Sequence, residues 1–369
     1  MKIFLAGPSA QPAYGGPAYS VTGLAAALAA AGADVGFWTP DGSAVTTPLL
    51  SGDGGVRRLI GSASEALDRF GRPDVLHDNG LWRRHNHQLA SLAAARSLPR
   101  IVSTRGMLEP WARGHKKVRK RVAWRAYQRR DLLRAACHHA TSEQEAGHLQ
   151  DLDLGVPVRM IPNGITFPAG RQHIQPVAPA SSLDRTALFL GRLYPVKGLP
   201  LLIEAWRRVQ PVGWRLLIAG PDQAGHRAEI EHLIVAARLT HVVSFAGPVD
   251  EHQKARLFER ASLMVLPTLS ESFGMVVLEA LAHAVPVLTT VRAPWPMLAT
   301  ERCGWLVEPT ADAIADGLRQ ATRTPLDDLQ AMGVRGRDLV ATRFDWCRIA
   351  TEFLELYDGV GGRGHRGIA

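Results

Sequence analysis

Two glutamates eight positions apart, Glu271 and Glu279 in ESFGMVVLE, are the first residues whose type and spacing could do chemistry. A carboxylate pair that cleaves one bond must flank it at about 5–9 Å, and the residues around these two argue for a different arrangement. SLMVLP ahead of them has the composition of a strand and MVVLEALAHA that of a helix, so Glu271, Ser272, Phe273 and Gly274 form the turn that opens the helix. Glycine there lets a ligand approach the backbone, and the free N–H groups of a first helical turn favour an anion. Glu279 falls in the first helical turns and Glu271 just before them, where each can accept a hydrogen bond from a sugar hydroxyl. Taken singly, Glu279 is equally a helix-dipole carboxylate and Glu271 a capping residue.

A second group lies upstream. TALFL reads as a strand and is followed by GRLYPVKG, which places Arg192 and Lys197 between a strand end and the helical LPLLIEAWRRV. Ligands of such strand-loop-helix units sit beyond the carboxyl ends of the strands, and helix N-termini favour anions, so a pyrophosphate fits there. In isolation the two cations are equally solvated loop charges.

The elements that must position these groups alternate along the chain. KIFLA, DVGFWT, DVLH, RIVST and HHAT are β-type runs separated by helical ones, and the rhythm resumes after residue 185 with TALFL, WRLLIAG, VVSFAG, SLMVLP and VPVLTT. This is the pattern of α/β domains with parallel sheets. TFPAGRQHIQPVAPASSLD between them has no periodicity and is expected to be a linker. At 369 residues and 46% apolar composition, two domains are expected. They are two Rossmann-like domains facing a central cleft. Neither carries G-x-G-x-x-G after a strand, which disfavours dehydrogenase-type dinucleotide binding.

Composition excludes other classes. No run of 18 apolar residues is present, and MKIFLAGPS is too briefly apolar for a signal peptide, so the expected location is the cytoplasm. Cys137, Cys303 and Cys347 have no paired spacing and are expected to be inert core residues. Between Arg113 and Arg134 ten basic residues stand against one acid, Asp131, a surplus equal to the +9 of the whole chain. A nucleic-acid coat spreads its cations over a larger face, so one docking surface is the better reading.

IPNGI, GRLYPVKG and ESFGMVVLE, in this order along the chain, resemble glycosyltransferase family 4, retaining sugar transferases of GT-B fold. The resemblance runs from the loop AYGGPAYSV to the closing FDWCRIATEFLELY, which looks like the family's tail helix. It implies an N-terminal, acceptor-binding Rossmann-like domain (1–163), a linker (164–185), a C-terminal nucleotide-sugar domain (186–343), and a helix and tail (344–369) returning to the first domain. It also implies that Arg192 and Lys197 hold the donor diphosphate and Glu279 the ribose. Glu271 and the backbone of Phe273, Gly274, Met275 and Val276 would hold the donor sugar, while Gly220, Pro248 and Val249 lie against the base. Gly15 and Gly16 would fall in the loop near donor phosphate and acceptor. Where many relatives have a histidine after the fourth strand of the pattern, IVSTRGM places Arg105, which accepts no proton at physiological pH. Arg105 is expected to bind an anionic group, with Asn79 as an acceptor-side neighbour; His77 is expected to be a packed strand-end histidine.

The implied reaction moves a hexose from a UDP- or GDP-linked donor to a saccharide, with retention and without a metal, two cations and helix N–H groups stabilising the leaving diphosphate. The one D-x-D match, Asp151-Leu152-Asp153, lies far from the other motifs. Val118, Val122, Ala126 and Tyr127 recur at helical spacing within Arg113–Arg134, so this segment is expected to form a basic helix on anionic lipid. That surface suits a lipid-linked acceptor in surface polysaccharide synthesis, with the enzyme peripheral at the inner face of the membrane. The competing readings are a GT-B sugar-nucleotide epimerase, which needs no acceptor, and a nucleic-acid-binding protein, which would need more aromatics than Trp124 and Tyr127 among those cations.

Overall fold

In the structure, a computed structural model, residues 1–50, 54–114, 116–167 and 185–361 are described. The chain divides into two compact units, one built from the described residues of Met1–Thr166 and Phe344–Ala369, the other from those of Phe167–Arg343. Most of the expected linker, residues 168–184, lies outside the described residues.

The first unit carries a seven-stranded sheet in the order β3-β2-β1-β4-β5-β6-β7. Its strands are β1 (Lys2–Ala6), β2 (Asp34–Trp38), β3 (Val56–Leu59), β4 (Val75–Asn79), β5 (Arg100–Ser103), β6 (Cys137–Ala140) and β7 (Val158–Met160). The second carries six in the order β10-β9-β8-β11-β12-β13: β8 (Arg185–Leu190), β9 (Trp214–Ala219), β10 (Val243–Gly247), β11 (Ala261–Leu266), β12 (Val287–Thr290) and β13 (Gly304–Val307). Pairings are parallel, as between β1 and β4 (Ile3 opposite Val75) and between β8 and β11 (Ala187 opposite Leu263). Helices cover both faces of such sheets, so central strands become continuous apolar runs; Ile3, Phe4 and Leu5 are fully buried.

Three strands escape the sequence pattern: β3, β7 and β13, each at a sheet edge. An edge strand has one neighbour and needs less apolar surface, so β3 exposes Arg57 and Arg58 and β7 exposes Arg159 and Met160.

In each sheet the strand order reverses at one place, between β1 and β4 and between β8 and β11. Ligands of open α/β sheets bind at this switch point, beyond the carboxyl ends of the strands. GRLYPVKG follows β8 and TLSESFG follows β11, so the topology brings the two sequence motifs to one end of one sheet.

The last helix, Trp346–Gly361, belongs to the first unit. It buries Ile349, Ala350, Phe353, Leu356, Tyr357 and Val360, spaced three and four apart on one face. Each large side chain so buried stabilises by roughly 1.5–3 kcal/mol. Its first residue, Trp346, presses on Gly23 and Gly164, where any Cβ would lie 2.5 Å from the indole. A polar chain ties the helix to the sheet. The Ile161 carbonyl only accepts, so His139 Nε2 donates to it at 2.8 Å and Nδ1 accepts from Ser103 Oγ at 2.6 Å. Ser103 Oγ accepts from His77 Nε2 at 2.6 Å, and His77 Nδ1 accepts from the Tyr357 hydroxyl at 2.7 Å. This direction satisfies every member with both imidazoles neutral. Burial accordingly pulls His77 well below the ordinary histidine value and His139 down to about 3. His77 is the packed strand-end histidine.

Two expectations are corrected. The basic segment is not one helix: the short helix Pro110–Gly114 is separate from a second that runs on from Lys117–Ala123 through a π-helical turn, Trp124–Gln128, into Arg129–Leu133. Lys116 in the left-handed region (φ 55) starts the second piece without a side-chain cap, so the backbone cannot continue from the first. Of the cysteines, Cys137 and Cys303 are buried, but Cys347 is exposed, because it lies off the buried face of the last helix.

Candidate active site

The two loops at the β8/β11 switch point are stitched together by backbone. Leu269 N–H and Thr268 Oγ1 donate to the Val196 carbonyl at 2.8 and 3.2 Å. Gly198, at φ 70, caps the helix Leu199–Val209, and a Cβ there would sit 1.9 Å from the Pro267 carbonyl oxygen. Only glycine permits both that backbone angle and that approach.

This stitching brings Lys197 and Glu271 together, 74 residues apart in sequence. The Lys197 ammonium pairs with Glu271 Oε1, the two side chains being 14% and 12% exposed. Glu271 is further fixed by its N–H to the Arg292 carbonyl at 3.1 Å. Phe273 is buried edge-on to Trp295, 5.3 Å between centroids, and its carbonyl accepts from Trp295 Nε1 at 2.5 Å. Gly274, at φ 82, then opens the helix Met275–Ala282 with no side-chain cap, which leaves its N-terminus to other acceptors. Met275 and Val276, half-buried, form the first turn.

Glu279 is placed one turn on. It is largely buried, with 16% of its side chain exposed, and Oε1 accepts from Lys254 Nζ at 2.8 Å. Burial raises the Glu279 carboxyl above the ordinary glutamate value against the pull of Lys254. Burial lowers Lys254, but Glu279 and Glu251, the latter at 3.0 Å, more than offset this and hold it charged. Arg192 stands apart from both pairs, exposed, donating to Gln223 Oε1 at 2.9 Å. Gly220 ends β9 between neighbouring strand ends, its N–H donating to the Gly247 carbonyl at 2.8 Å. Exposed Pro248 and half-buried Val249 follow β10 and precede the helix Glu251–Arg260, capped by Asp250.

In the first unit, Gly15 (φ 81) caps the helix Gly16–Ala30 after the β1 loop, and no atom stands within 4 Å of where its Cβ would be. Asn79 ends β4, and its Oδ1 accepts from Arg105 Nε and Nη2 at 3.0 and 2.7 Å. Arg105 Nη1 donates to Asn163 Oδ1 at 2.7 Å. The loop bearing Arg105 is held by buried Glu145. Its Oε1 accepts from Thr104 Oγ1 and Gly106 N–H, and its Oε2 from Thr141 N–H and Oγ1, all within 2.6–2.8 Å. Burial pushes the Arg105 guanidinium down to about 10, and Glu145 pulls the other way, so it stays cationic at neutral pH. Arg105 itself takes φ 52, a strained angle for a residue with a side chain.

Sequence reasoning missed Asn163, Glu145 and Lys254 as members of these groups. IPNGI carried Asn163 in plain sight, as an Asn-Gly after a strand end; Glu145 and Lys254 have local partners in Thr141 and Glu251, but the contacts that tie them to Thr104 and Glu279 span 41 and 25 residues. Among the described residues no group of three His, Cys, Asp or Glu could hold a metal ion, and no helix is long and apolar enough to cross a membrane.

Residues 15–164 match the family described as glycosyl transferase 4-like domain and residues 171–338 the family described as glycosyl transferases group 1. A phosphatidyl-myo-inositol mannosyltransferase of Mycobacterium leprae is 30% identical over 269 residues, 71% of this chain and 64% of that protein. The chain thus spans somewhat under two thirds of that relative's length. A GDP-mannose:cellobiosyl-diphosphopolyprenol alpha-mannosyltransferase of Xanthomonas campestris is 25% identical, covering 80% of this chain and 76% of its own. The solved sucrose-phosphate synthase of Thermosynechococcus elongatus superposes with a TM-score of 0.77 at 22% identity, over 98% of this chain and 100% of its own. Two parallel-sheet units of the same architecture and two adjoining domain matches make this protein a member of the family 4-type glycosyltransferases of GT-B fold.

Proposed function

We propose that the protein transfers a hexose from a nucleotide diphosphate sugar to a saccharide acceptor carried on a lipid, with retention of anomeric configuration. The observation that carries this reading is the Lys197–Glu271 pair beside the uncapped N-terminus at Gly274, at the switch point of the second sheet. A diphosphate carries more negative charge than one carboxylate and competes for the Lys197 ammonium. Once it does, Glu271 is free to accept from a donor-sugar hydroxyl. Arg192 adds the second cation, and the N–H groups of the first helical turn add fixed dipoles where charge develops on the leaving diphosphate. In this reading no divalent ion is needed. Glu279, held ionised by Lys254, accepts from the ribose, with Gly220, Pro248 and Val249 against the base.

Front-face attack by an acceptor hydroxyl, its proton passing to the leaving phosphate, accounts for retention without a protein nucleophile. Arg105, cationic and fixed by Asn79 and Asn163, meets an anionic group on the acceptor side, and the Gly15–Gly16 loop of the same unit approaches donor phosphate and acceptor. The lipid-borne acceptor is supported by the likeness to two mannosyltransferases named for lipid-borne acceptors and by the cations of Arg113–Arg134, which attract anionic lipid. Surface polysaccharide assembly at the inner membrane face is the setting that fits both.

The test is a thermal-shift panel of nucleoside diphosphates, since a bound one stabilises by RT ln(1 + [L]/Kd), followed by product analysis with the selected donor. Stabilisation by none of them would overturn the reading. Full conversion of donor without acceptor would replace it with epimerisation.

A further inference from the structure

Beside the broken basic segment lies a cavity of about 440 Å³ walled by Trp82 and Trp124 and rimmed by Arg113, Lys117, Lys120 and Arg121. Its volume is in the range of small-molecule sites, about 300–1,000 Å³. Among the described residues lining it there is no carboxylate to balance the four cations. Lys120 is fixed at the rim by contacts of its own. Its ammonium donates to the Ala112 carbonyl and lies 5.6 Å from the centroid of the Trp82 ring, and burial followed by neighbouring Lys116 lowers its pKa. An anion in the cavity would meet four cations and no competing carboxylate among the described lining residues.

The aromatic wall is built rather than incidental. Trp82 adopts φ 68, a rare angle for a bulky side chain, and is pinned in it from both ends. Its N–H donates to Gln128 Oε1 at 3.0 Å and its indole Nε1 to the Met107 carbonyl at 3.2 Å. Trp124 begins the π-helical turn and stands 6.2 Å from Trp82, centroid to centroid. Next to the rim, Val118 and Val122, one helical turn apart, are 76% and 63% exposed. A small inorganic anion would need the cations alone. Indole walls and bare valines beside them fit an anion that brings hydrocarbon with it.

We propose that this cavity is a binding site for the phosphate headgroup of an anionic lipid, the phosphate on the rim of Arg113, Lys117, Lys120 and Arg121 and its glycerol and first methylenes against the two indoles. The inference deepens, and rests on, the reading that Arg113–Arg134 meets a lipid surface. It replaces diffuse adsorption with capture of one headgroup at a defined place.

The test compares two charge-matched double variants of the full chain, Lys117→Gln with Arg121→Gln on the rim and Arg119→Gln with Arg125→Gln off it. Each is titrated calorimetrically with dihexanoyl phosphatidic acid below its micelle concentration and with inorganic pyrophosphate, and sedimented with anionic and neutral vesicles. Circular dichroism confirms folding. Wild type is expected to bind the short-chain lipid, the rim variant to lose roughly 10–30-fold, and the off-rim variant to change little. Equal losses in the two variants, or no short-chain binding by wild type, would overturn the site and leave diffuse adsorption. Pyrophosphate binding as tight as the lipid would overturn the lipid occupant. Short-chain binding that persists without sedimentation on anionic vesicles would overturn the membrane reading while upholding the cavity.

Discussion

Replacing Lys254 with methionine tests how Glu279 is kept ready for a ribose. The change removes the ammonium 2.8 Å from Glu279 Oε1 and leaves a largely buried carboxyl within the influence of Glu251. Burial already holds this carboxyl above the ordinary glutamate value; without Lys254 nothing charged opposes burial, and Glu251 adds to it. The carboxyl then takes up a proton as pH falls through a window moved up toward neutrality. Only the ionised form accepts from both ribose hydroxyls, so binding weakens on the acid side of that window and recovers on the alkaline side. Loss of one charge-assisted hydrogen bond corresponds to about 1.5–3 kcal/mol, or roughly 10–150-fold in Kd. The assay is calorimetric titration of the preferred nucleoside diphosphate across neutral pH, for wild type, Lys254→Met, Glu279→Gln and the double variant. Lys254→Met should gain affinity as pH rises, and should add nothing on the Glu279→Gln background, because both act through one carboxylate. A loss that is constant with pH, or additive losses, would refute the reasoning.

Glu271→Gln should leave nucleoside-diphosphate affinity at or above the wild-type level, since it releases Lys197, while turnover with the intact donor falls; a parallel fall in both would show that Glu271 has been misplaced. Gly198→Ala should destabilise the second unit by about 1–3 kcal/mol or more, because a Cβ there meets the Pro267 carbonyl at 1.9 Å and φ is 70; an unchanged urea midpoint contradicts this. Acid should destabilise the first unit. The folded values of His77 and His139 are depressed, so below the unfolded value of about 6.5 the unfolded chain holds more protons and each contributes a loss of about 1.4 kcal/mol per pH unit. Asp78, raised to about 6 by burial against Arg100, works the other way and offsets one of them. A thermal midpoint that stays level from neutrality down through pH 5 would remove this account.

Central strands such as β1 and β11 and the helix after Gly274 were legible because buried parallel strands tend to near-continuous apolar runs and a glycine turn before an apolar helix has few alternatives. The edge strands were not, since VRRL and VRM keep their arginines in solvent. The continuous basic helix failed at Lys116, because apolar spacing says nothing about a backbone angle. The motifs put Arg192, Lys197 and Glu271 on the loops after β8 and β11 and Glu279 on the helix that follows, where the structure has them. They did not show that Lys197 would face Glu271, or Lys254 face Glu279, because those contacts come from strand order and not from spacing. The network around Arg105 was half visible for the same reason: Asn79 closes a strand that could be read, while Glu145 reaches it from the helix after β6.

The helix that carries Trp346, Phe353 and Tyr357 also sets an order of events during synthesis. The sheet of the first unit is complete in sequence by Thr166, but the face that takes this helix, with Gly23, His77 and His139, stays uncovered until everything to Gly361 has been made. At about 5–20 residues per second, making the whole second unit first takes on the order of ten seconds or more. For that time a nascent chain presents an apolar face and one unpartnered imidazole nitrogen, Nδ1 of His77, which is the period in which chaperones would engage it. Moving the last helix to the amino terminus by circular permutation would close that interval.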